Sequence, residues 1–302
     1  MTLYTQKDKN IRKTWFLMAL FLVIIVALGW FLSYYYQSPQ ILYAAVIFSL
    51  AMNLISFWYS DKIVLALNRA QPVKFEENPE LYRIVENLCI TAGLAMPKIY
   101  IIPEMAPNAF ATGRNSKNAA VAVTQGLLQK LDRSELEGVI SHELSHIGNR
   151  DILIQTVVVV LVGLVAIASD MFLRMRFLGI GRGRDNDKDS GQLGAILMLI
   201  GLVFIILSPI IAQLIQLAIS RKREFLADAS GVLLTRYPEG LARALEKISS
   251  DPIPMRYASN ATAHLYIVNP FKGKQKNSWL VKLFMTHPPI EERIKILREM
   301  SV

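Results

Sequence analysis

Four long apolar runs without a charged residue constrain this chain more than any other feature of its sequence. They cover residues 15–34, 40–59, 152–169 and 193–219. As a helix, each run is about long enough to cross the roughly 30 Å hydrocarbon core of a bilayer. They also raise the hydrophobic content to 53% and the mean hydropathy to +0.34, both too high for an ordinary soluble domain. The runs therefore predict a membrane α-helical protein with four hydrophobic segments.

The first two segments carry aromatic residues near their ends, as a helix anchored at both membrane interfaces does. Trp15, Trp30 and Trp58 mark these positions. A cleaved signal peptide is a poorer interpretation of the first segment. Its apolar core exceeds the roughly 7–15 residues of a signal, and no small-residue cleavage site follows it. A buried helix of a soluble domain stays open as an alternative for the third segment, 152–169.

Basic residues flank the apolar segments rather than forming one patch, although the formal net charge is +9. The flanking basic residues are Lys7, Lys9, Arg12 and Lys13 before the first segment and residues 221–223 after the fourth. This placement is typical of a lipid–cytoplasm boundary, so the lipid bilayer is an expected partner and nucleic acid is not. The single cysteine, Cys89, excludes an internal disulfide and agrees with a reducing compartment.

The distribution of charge also predicts the order of the domains and their side of the membrane. Residues 1–60 form an N-terminal region with two transmembrane helices, 61–151 the first part of a soluble domain, 152–219 a transmembrane hairpin, and 220–302 the second part. The basic N-terminus lies inside, the uncharged loop SYYYQSPQ lies outside, and both soluble parts are cytoplasmic. We therefore expect a multi-pass protein of the cell membrane.

The loop of the predicted hairpin conflicts with this orientation. Between residues 174 and 189 it carries five basic residues against three Asp, which gives a net positive charge on the side expected to lie outside. The positive-inside rule disfavours such a loop. An oblique or partial crossing of the hairpin is therefore an alternative to two full spans.

The soluble parts mix helical and strand patterns, which predicts an α+β domain. Residues 78–95 form an amphipathic helix that Asn78 caps, with Pro79 in its first turn. KIYIIPE and AAVAVTQ are predicted as short strands. NAFATG, which lies between them, alternates as an edge strand does.

The next helix, which a capping box of Ser134 and Glu137 would start, carries the pattern SHELSHIGNRD. His142 and His146 are four residues apart, so both project from one face and can bind one metal ion. Glu143 then reaches the position where a water would sit, an arrangement expected of metal-assisted peptide hydrolysis. Two His at this spacing also occur by chance on solvated helices, so the motif alone leaves a non-metal interpretation open.

A zinc site needs a third protein ligand. The metzincin continuation of the motif is excluded, because Asn149 and Ile152 stand where it would have Gly and His. The better candidate is Glu224, in REFLAD, with Asp228 one helical turn later to orient a ligating His. The predicted hairpin would return the chain to the level of the metal helix and bring Glu224 to the His pair. The alternative is a solvated charged face below a membrane helix.

The patterns SHELSHIGNRD, RKREFLADASG, PNAFATGR and THPPIEERI together resemble the M48 family of membrane zinc metallopeptidases, and the resemblance covers nearly the whole chain. It implies a zincin-like membrane protease with a cytoplasmic site for one Zn2+, which acts on unfolded or damaged membrane proteins in quality control and the stress response. The implied zinc ligands and catalytic carboxylate are His142, His146, Glu224 and Glu143. Asn108, Ala109 and Phe110 would lie on the edge strand that receives substrate.

Three further residues have two interpretations each. His287, in THPP, is a candidate donor to the oxyanion, or it caps the final helix while Arg293 pairs with Glu291 or another acid. Asp151 is a candidate partner of a metal ligand, or it only ends the metal helix. His264 is structural or exposed.

Two other functions are alternatives. A peptidase that processes a prenylated C-terminus belongs to the same clan, but the eukaryotic enzymes of that type enclose a large chamber with more apolar segments. A membrane scaffold or chaperone-like adaptor with a vestigial metal site is disfavoured, because the ligands, the base and Asp228 are all present.

Overall fold

The computed structural model describes residues 3–161, 221–259, 261–271 and 288–300, with side chains from residue 8 onward. Two long helices open the chain: α1, Leu3–Tyr35, and α2, Pro39–Leu67. Both are long and apolar enough to cross a membrane, and the mean hydropathy of their most apolar windows is 2.7 and 1.9. The two membrane helices predicted for the N-terminal region are therefore present as candidate spans.

Most of the large aromatic residues of the α1–α2 pair are exposed, whereas Phe21 is buried. Trp15 and Trp58 are 55% and 53% exposed, as is expected of side chains that face lipid near a membrane interface. By contrast, the small residues Ser49, Ser56 and Ser60 of α2 are buried. The pair thus has the apolar outer surface expected of a membrane-embedded hairpin.

A four-stranded sheet lies at the centre of the α+β domain. Its strands are β1, Gln71–Pro72; β2, Lys98–Ile102; β3, Ala109–Gly113; and β4, Ala119–Thr124. Their order is β1-β2-β4-β3, in which β2 and β4 are parallel and the other pairs are antiparallel. The three strands predicted from the sequence are confirmed, and β3 lies at an edge as its alternation indicated.

The first helix of the domain is α3, Pro79–Ala92, which shares a hydrophobic core with the sheet. Its start is as predicted, because the side chain of Asn78 accepts a hydrogen bond from the Leu81 backbone N–H at 3.0 Å. Its end comes three residues earlier than predicted. Gly93 adopts a left-handed conformation with φ of 63°, which stops the helix.

A short helix, α4, Gln125–Lys130, leads into the metal helix α5, Arg133–Gly148. The predicted capping box at Ser134 and Glu137 is wrong. The box is formed instead by Asp132, which accepts from the Glu135 N–H at 3.0 Å, and by Glu135, which accepts from the Asp132 N–H at 2.9 Å. Glu135 also binds Lys247 Nζ at 2.7 Å, so a distant residue supports this register over the other.

A sharp corner follows the metal helix. The axis of α6, whose described part is Asp151–Leu161, makes an angle of 84° with that of α5. Arg150 forms the corner with φ of 58°, in the left-handed region that non-glycine residues rarely adopt. The described part of α6 is buried along its length. The predicted third segment starts here, whereas its remainder, the basic loop and the fourth segment lie outside the described residues.

Three further helices lie among the described residues of the domain: α7, Arg221–Thr235; α8, Pro238–Ser250; and α9, Ile290–Glu299. A Cβ atom at Gly231 of α7 would lie 3.0 Å from the backbone nitrogen of His142. Gly231 therefore lets α7 approach α5 closely at the level of the first histidine, where any larger residue would push the two helices apart slightly. This close contact brings Glu224, earlier on α7, next to the metal helix.

Candidate metal centre

Three buried side chains from α5 and α7 converge on one point. His146 Nε2 lies 3.2 Å from His142 Nε2 and 3.6 Å from Glu224 Oε1, and Glu224 Oε2 lies 3.8 Å from His142 Nε2. One donor atom from each of the three residues lies within 4.8 Å of the others. Two half-sites that are remote in sequence thus meet, while most of the predicted hairpin between them lies outside the described residues.

The donor set fits a zinc ion. Two ligand atoms that each lie about 2.0–2.1 Å from a tetrahedral zinc are about 3.4 Å apart, close to the three distances observed. Both histidines present Nε2 to the shared point, and the third donor is a carboxylate oxygen. Two imidazole nitrogens and one carboxylate, with a fourth position left for water, are typical of a catalytic rather than a structural zinc site.

Each histidine is held by a carboxylate on its other ring nitrogen. Asp228 Oδ1 lies 2.8 Å from His142 Nδ1, and Asp151 Oδ2 lies 3.1 Å from His146 Nδ1. A carboxylate at Nδ1 favours the tautomer that carries hydrogen there, which leaves the Nε2 lone pair directed at the metal position. The structure therefore places both predicted partner acids, Asp228 and Asp151, against the histidines.

A buried arginine completes the site and was not identified as part of it from the sequence. Arg293 has no exposed surface, and its Nε and Nη2 donate to the two oxygens of Asp228 at 2.8 and 2.7 Å. Its Nη1 donates to the Ile267 carbonyl at 3.1 Å and lies 3.8 Å from Glu224 Oε2. The acid that pairs with Arg293 is thus Asp228, not Glu291.

One signal in the sequence could have identified Arg293. On α9, Ile290, Ile294 and Leu297 pack toward the core, and Arg293 lies on the same helical face. A charged residue inside an apolar stripe needs a buried partner of opposite charge, because the desolvation of a lone guanidinium is costly. The pattern therefore indicates a buried acid, although it does not identify which one.

The environment shifts the pKa values of these groups in different directions. Burial raises the pKa of Glu143 to about 7, against the charge of His146 and a backbone hydrogen bond from Ala111. Burial is the largest effect on Asp228 and opposes its ionisation, but the Arg293 charge and the hydrogen bonds to His142 and Arg293 together outweigh it and hold the pKa of Asp228 at about 2. Asp228 is therefore ionised at neutral pH, whereas Glu143 lies in the range that suits proton transfer.

The two histidines differ as well. Burial lowers the pKa of His142, and the Asp228 carboxylate offsets only part of that effect. Burial acts in the same direction on His146, but its hydrogen bond to Asp151 and the charge of Glu224 raise the pKa of His146 to about 9. The carboxylates around His146 therefore attract a cation to this point, whether a proton or a metal ion.

The predicted substrate residues on β3 are buried and partly engaged by the chain itself. The Asn108 side chain donates to the Val268 carbonyl at 2.8 Å, and the Ala109 carbonyl accepts from the Ile267 N–H at 3.1 Å. Phe110 packs edge-on against Tyr266. The segment 266–268 thus covers the first half of the β3 edge, which the sequence did not indicate.

His264 and His287 are the two remaining histidines of the chain. His264 is 1% exposed and its Nε2 lies 3.4 Å from the Gln155 carbonyl, so the exposed interpretation is wrong and the structural one stands. His287 lies outside the described residues, and its role as an oxyanion donor stays a prediction.

Comparison with known proteins identifies relatives of this chain. The model of peptidase family M48 matches residues 76–301. A protein of Caldanaerobacter subterraneus named "Protease HtpX homolog" is 48% identical over 100% of this chain and 99% of its own length. Proteins of the same name from Thermococcus sibiricus and Lactobacillus helveticus are 49% and 46% identical over 96% and 99% of this chain, and over 95% and 100% of their own lengths. The match to the crystal structure of S. mikatae Ste24p covers 97% of this chain and 67% of the Ste24p chain, at 17% identity and a TM-score of 0.48.

The α+β domain follows two apolar helices and contains a buried His–His–Glu donor set. These features are those of a membrane metalloprotease. The chain belongs to peptidase family M48. The resemblance drawn from its four sequence patterns is therefore confirmed.

Proposed function

We propose that this chain is a zinc-dependent endopeptidase whose single Zn2+ is held by His142, His146 and Glu224. The observation that carries the proposal is the convergence of these three buried donors from two segments of the chain, at distances that suit tetrahedral zinc. Zinc is favoured over other divalent metals because imidazole and carboxylate ligands with an open position are its usual catalytic set.

In the proposed mechanism Glu143 is the general base. Bound zinc supplies a Lewis acid that makes water more acidic and polarises the scissile carbonyl. The Glu143 carboxylate removes the proton of the attacking water and then passes it to the leaving amine. A backbone hydrogen bond joins Glu143 to Ala111, so the base is held against the edge strand. Asp228 and Asp151 keep the two imidazoles in the required tautomer.

Substrate would bind as an added strand along β3, where Asn108, Ala109 and Phe110 were predicted to receive it. Alternate residues of an edge strand direct their backbone groups outward. Since the Ala109 carbonyl already accepts from Ile267, the next outward carbonyl belongs to Ala111. We therefore propose that the main contact of the peptide is with Ala111, beside Glu143, and that main-chain bonding makes few demands on the sequence of the substrate.

The biological substrates are proposed to be unfolded or damaged membrane proteins, in quality control and the stress response. The proposal is supported by the position of the metal helix. Only Asn149 and Arg150 separate its end from the start of the apolar helix α6 at Asp151. A site so close to apolar helices is suited to chains that leave a bilayer. Recognition through backbone hydrogen bonds also suits substrates that share disorder rather than a sequence.

We also propose that the domain is zincin-like and that a transmembrane hairpin at residues 152–219 interrupts it. Its active site would lie on the cytoplasmic side. Fusions of a reporter after Tyr36 and after Val302 test the orientation. We expect alkaline phosphatase to be active at the first position and inactive at the second, because it folds only outside the cytoplasm. Activity in the opposite pattern would place the metal centre on the outer side and contradict the cytoplasmic assignment.

The function itself is tested by removing the metal. We expect the detergent-purified chain to cleave an unfolded protein such as casein, to lose cleavage on treatment with 1,10-phenanthroline, and to recover it when zinc is added back. Casein cleavage that survives complete removal of metal would contradict a zinc peptidase. A chain that binds zinc and cleaves nothing would favour the scaffold or adaptor instead.

A further inference from the structure

A polar residue of the first membrane helix reaches the metal centre. Asn10 lies near the start of α1 and is only 3% exposed. Its side-chain amide donates to Asp151 Oδ1 at 2.7 Å and to the Asn149 carbonyl at 3.1 Å. Because an amide nitrogen carries two hydrogens, these two bonds use its full donor capacity. The membrane helix is thus hydrogen-bonded to a segment 141 positions further along the chain.

Asp151 transmits this contact to a metal ligand. One of its carboxylate oxygens, Oδ1, accepts from Asn10, and the other, Oδ2, lies 3.1 Å from His146 Nδ1. The Asn10 amide, the Asp151 carboxylate and the His146 imidazole are therefore linked by hydrogen bonds. The other ring nitrogen of His146, Nε2, faces the metal position. Arg223 Nη1 of α7 lies 3.6 Å from the same Oδ1, so this oxygen contacts both a cation and an amide.

The atoms that Asn10 binds lie on both sides of a strained residue. Asn149 ends α5 and Asp151 begins α6, and between them Arg150 has φ of 58°. A left-handed conformation is unfavourable for an arginine and persists only where surrounding contacts impose it. Asn10 supplies such a contact to the residue before Arg150 and to the residue after it. Its amide therefore helps to set the direction in which Asp151 points.

We propose that Asn10 is a positioning residue of the zinc site, which makes the first membrane helix part of the metal centre rather than only an anchor. It acts through Asp151 on the orientation and basicity of His146, and it does not contact substrate. Partners of this kind, one bond removed from a ligand, typically change metal affinity by about 10–100-fold when they are lost. The inference rests on the proposed zinc function, but its main readout is zinc affinity, which is independent of proteolysis.

The test uses the full chain in detergent with two substitutions of Asn10. Asn10→Leu keeps a similar side-chain volume and removes both donors, and Asn10→Asp keeps the shape but presents oxygens to the Asp151 carboxylate. Asn53→Leu is the matched control, since Asn53 is a buried asparagine of the neighbouring helix α2. The dissociation constant for zinc is measured by competition with a chelator, and the melting temperature is recorded with and without zinc.

We expect zinc affinity to fall about 10–100-fold in both Asn10 variants and to stay within about twofold of wild type in Asn53→Leu. The melting temperature without zinc should fall in the Asn10 variants, because two buried acceptors lose their donor. The further rise that zinc produces should also shrink in the Asn10 variants only, which loss of stability alone does not cause. Where casein cleavage is measured, kcat should fall at saturating substrate with KM unchanged. Wild-type zinc affinity in both Asn10 variants, or an equal loss in Asn53→Leu, would overturn the proposal. If the wild-type chain binds zinc but cleaves no protein, the proposed function fails while the zinc measurement still decides the role of Asn10.

Discussion

Replacement of Glu143 by Gln is expected to reduce casein cleavage by roughly 10²–10⁴-fold, the usual contribution of a positioned general base. Gln has nearly the same shape as Glu, so the helix and its buried packing should be kept. It cannot accept the proton of the attacking water, and this is the step that the mechanism assigns to Glu143. Because Glu143 is not a ligand, zinc content should equal that of wild type.

Glu137→Gln is the control for this substitution. Glu137 lies on the same helix but pairs with Arg133 at its first turn, away from the metal position. Activity close to wild type is expected. Cleavage by Glu143→Gln at the wild-type rate, with zinc bound, would remove Glu143 from the mechanism. Loss of zinc together with activity would instead show that the substitution disturbs the ligands.

Replacement of Arg293 by Met is expected to lower the free energy of unfolding by about 3–5 kcal/mol, the typical cost of removing one partner of a buried ion pair. Met fills most of the volume of the arginine stem, so the loss comes mainly from the charge. Asp228 would be left as a buried carboxylate without its bidentate donor. Its bond to His142 would then be less well defined, and zinc affinity should fall as well. Denaturant unfolding of the zinc-depleted chain measures the change in the free energy of unfolding without the contribution of zinc binding.

Two comparisons make the Arg293 result specific. Arg298→Met removes an exposed arginine of the same helix, which pairs with Glu239 and Glu246, and little change in stability is expected. The double variant Arg293→Met with Asp228→Asn removes both charges and should be less destabilised than the sum of the single variants. Full additivity, or an Arg293→Met chain as stable as wild type, would contradict a coupled pair.

Local chemistry explains which parts of the site were predictable. His142 and His146 are four residues apart on one helix, so their shared face follows from helix geometry alone. The edge position of β3 follows from its alternation, and the start of α3 follows from Asn78, whose side chain caps its own helix. In each case the residues that carry the signal are also the residues that make the contact.

The contacts that were not predicted join distant parts of the chain. Arg293 pairs with an acid 65 positions away, and Asn10 binds a carboxylate 141 positions away. Nothing in either neighbourhood identifies the partner. The segment 266–268 binds β3 largely through backbone atoms, which have no signature in the sequence. Such pairings depend on the tertiary arrangement, so only a structure can reveal them.

The capping box of α5 shows the same limit within one turn of helix. Asp132 with Glu135 and Ser134 with Glu137 both have the required spacing, and local propensity hardly separates them. The choice depends on Glu135, which is 1% exposed and bound to Lys247 of α8. Tertiary packing therefore decides the residue at which the helix starts.

The zinc content of the purified chain tests most directly whether one metal site is assembled from both halves of the protein. Metal analysis of the wild type, Glu224→Ala and Glu86→Ala should be compared after identical dialysis. Glu86 is the control because it is an exposed acid of α3, a helix that carries none of the three ligands. We expect about one zinc per chain in the wild type and in Glu86→Ala and little zinc in Glu224→Ala, because loss of a ligand should weaken zinc affinity by more than the roughly 10–100-fold expected of an outer partner. A wild type without zinc, or a Glu224→Ala chain that keeps its zinc in full, would contradict a site assembled from both halves.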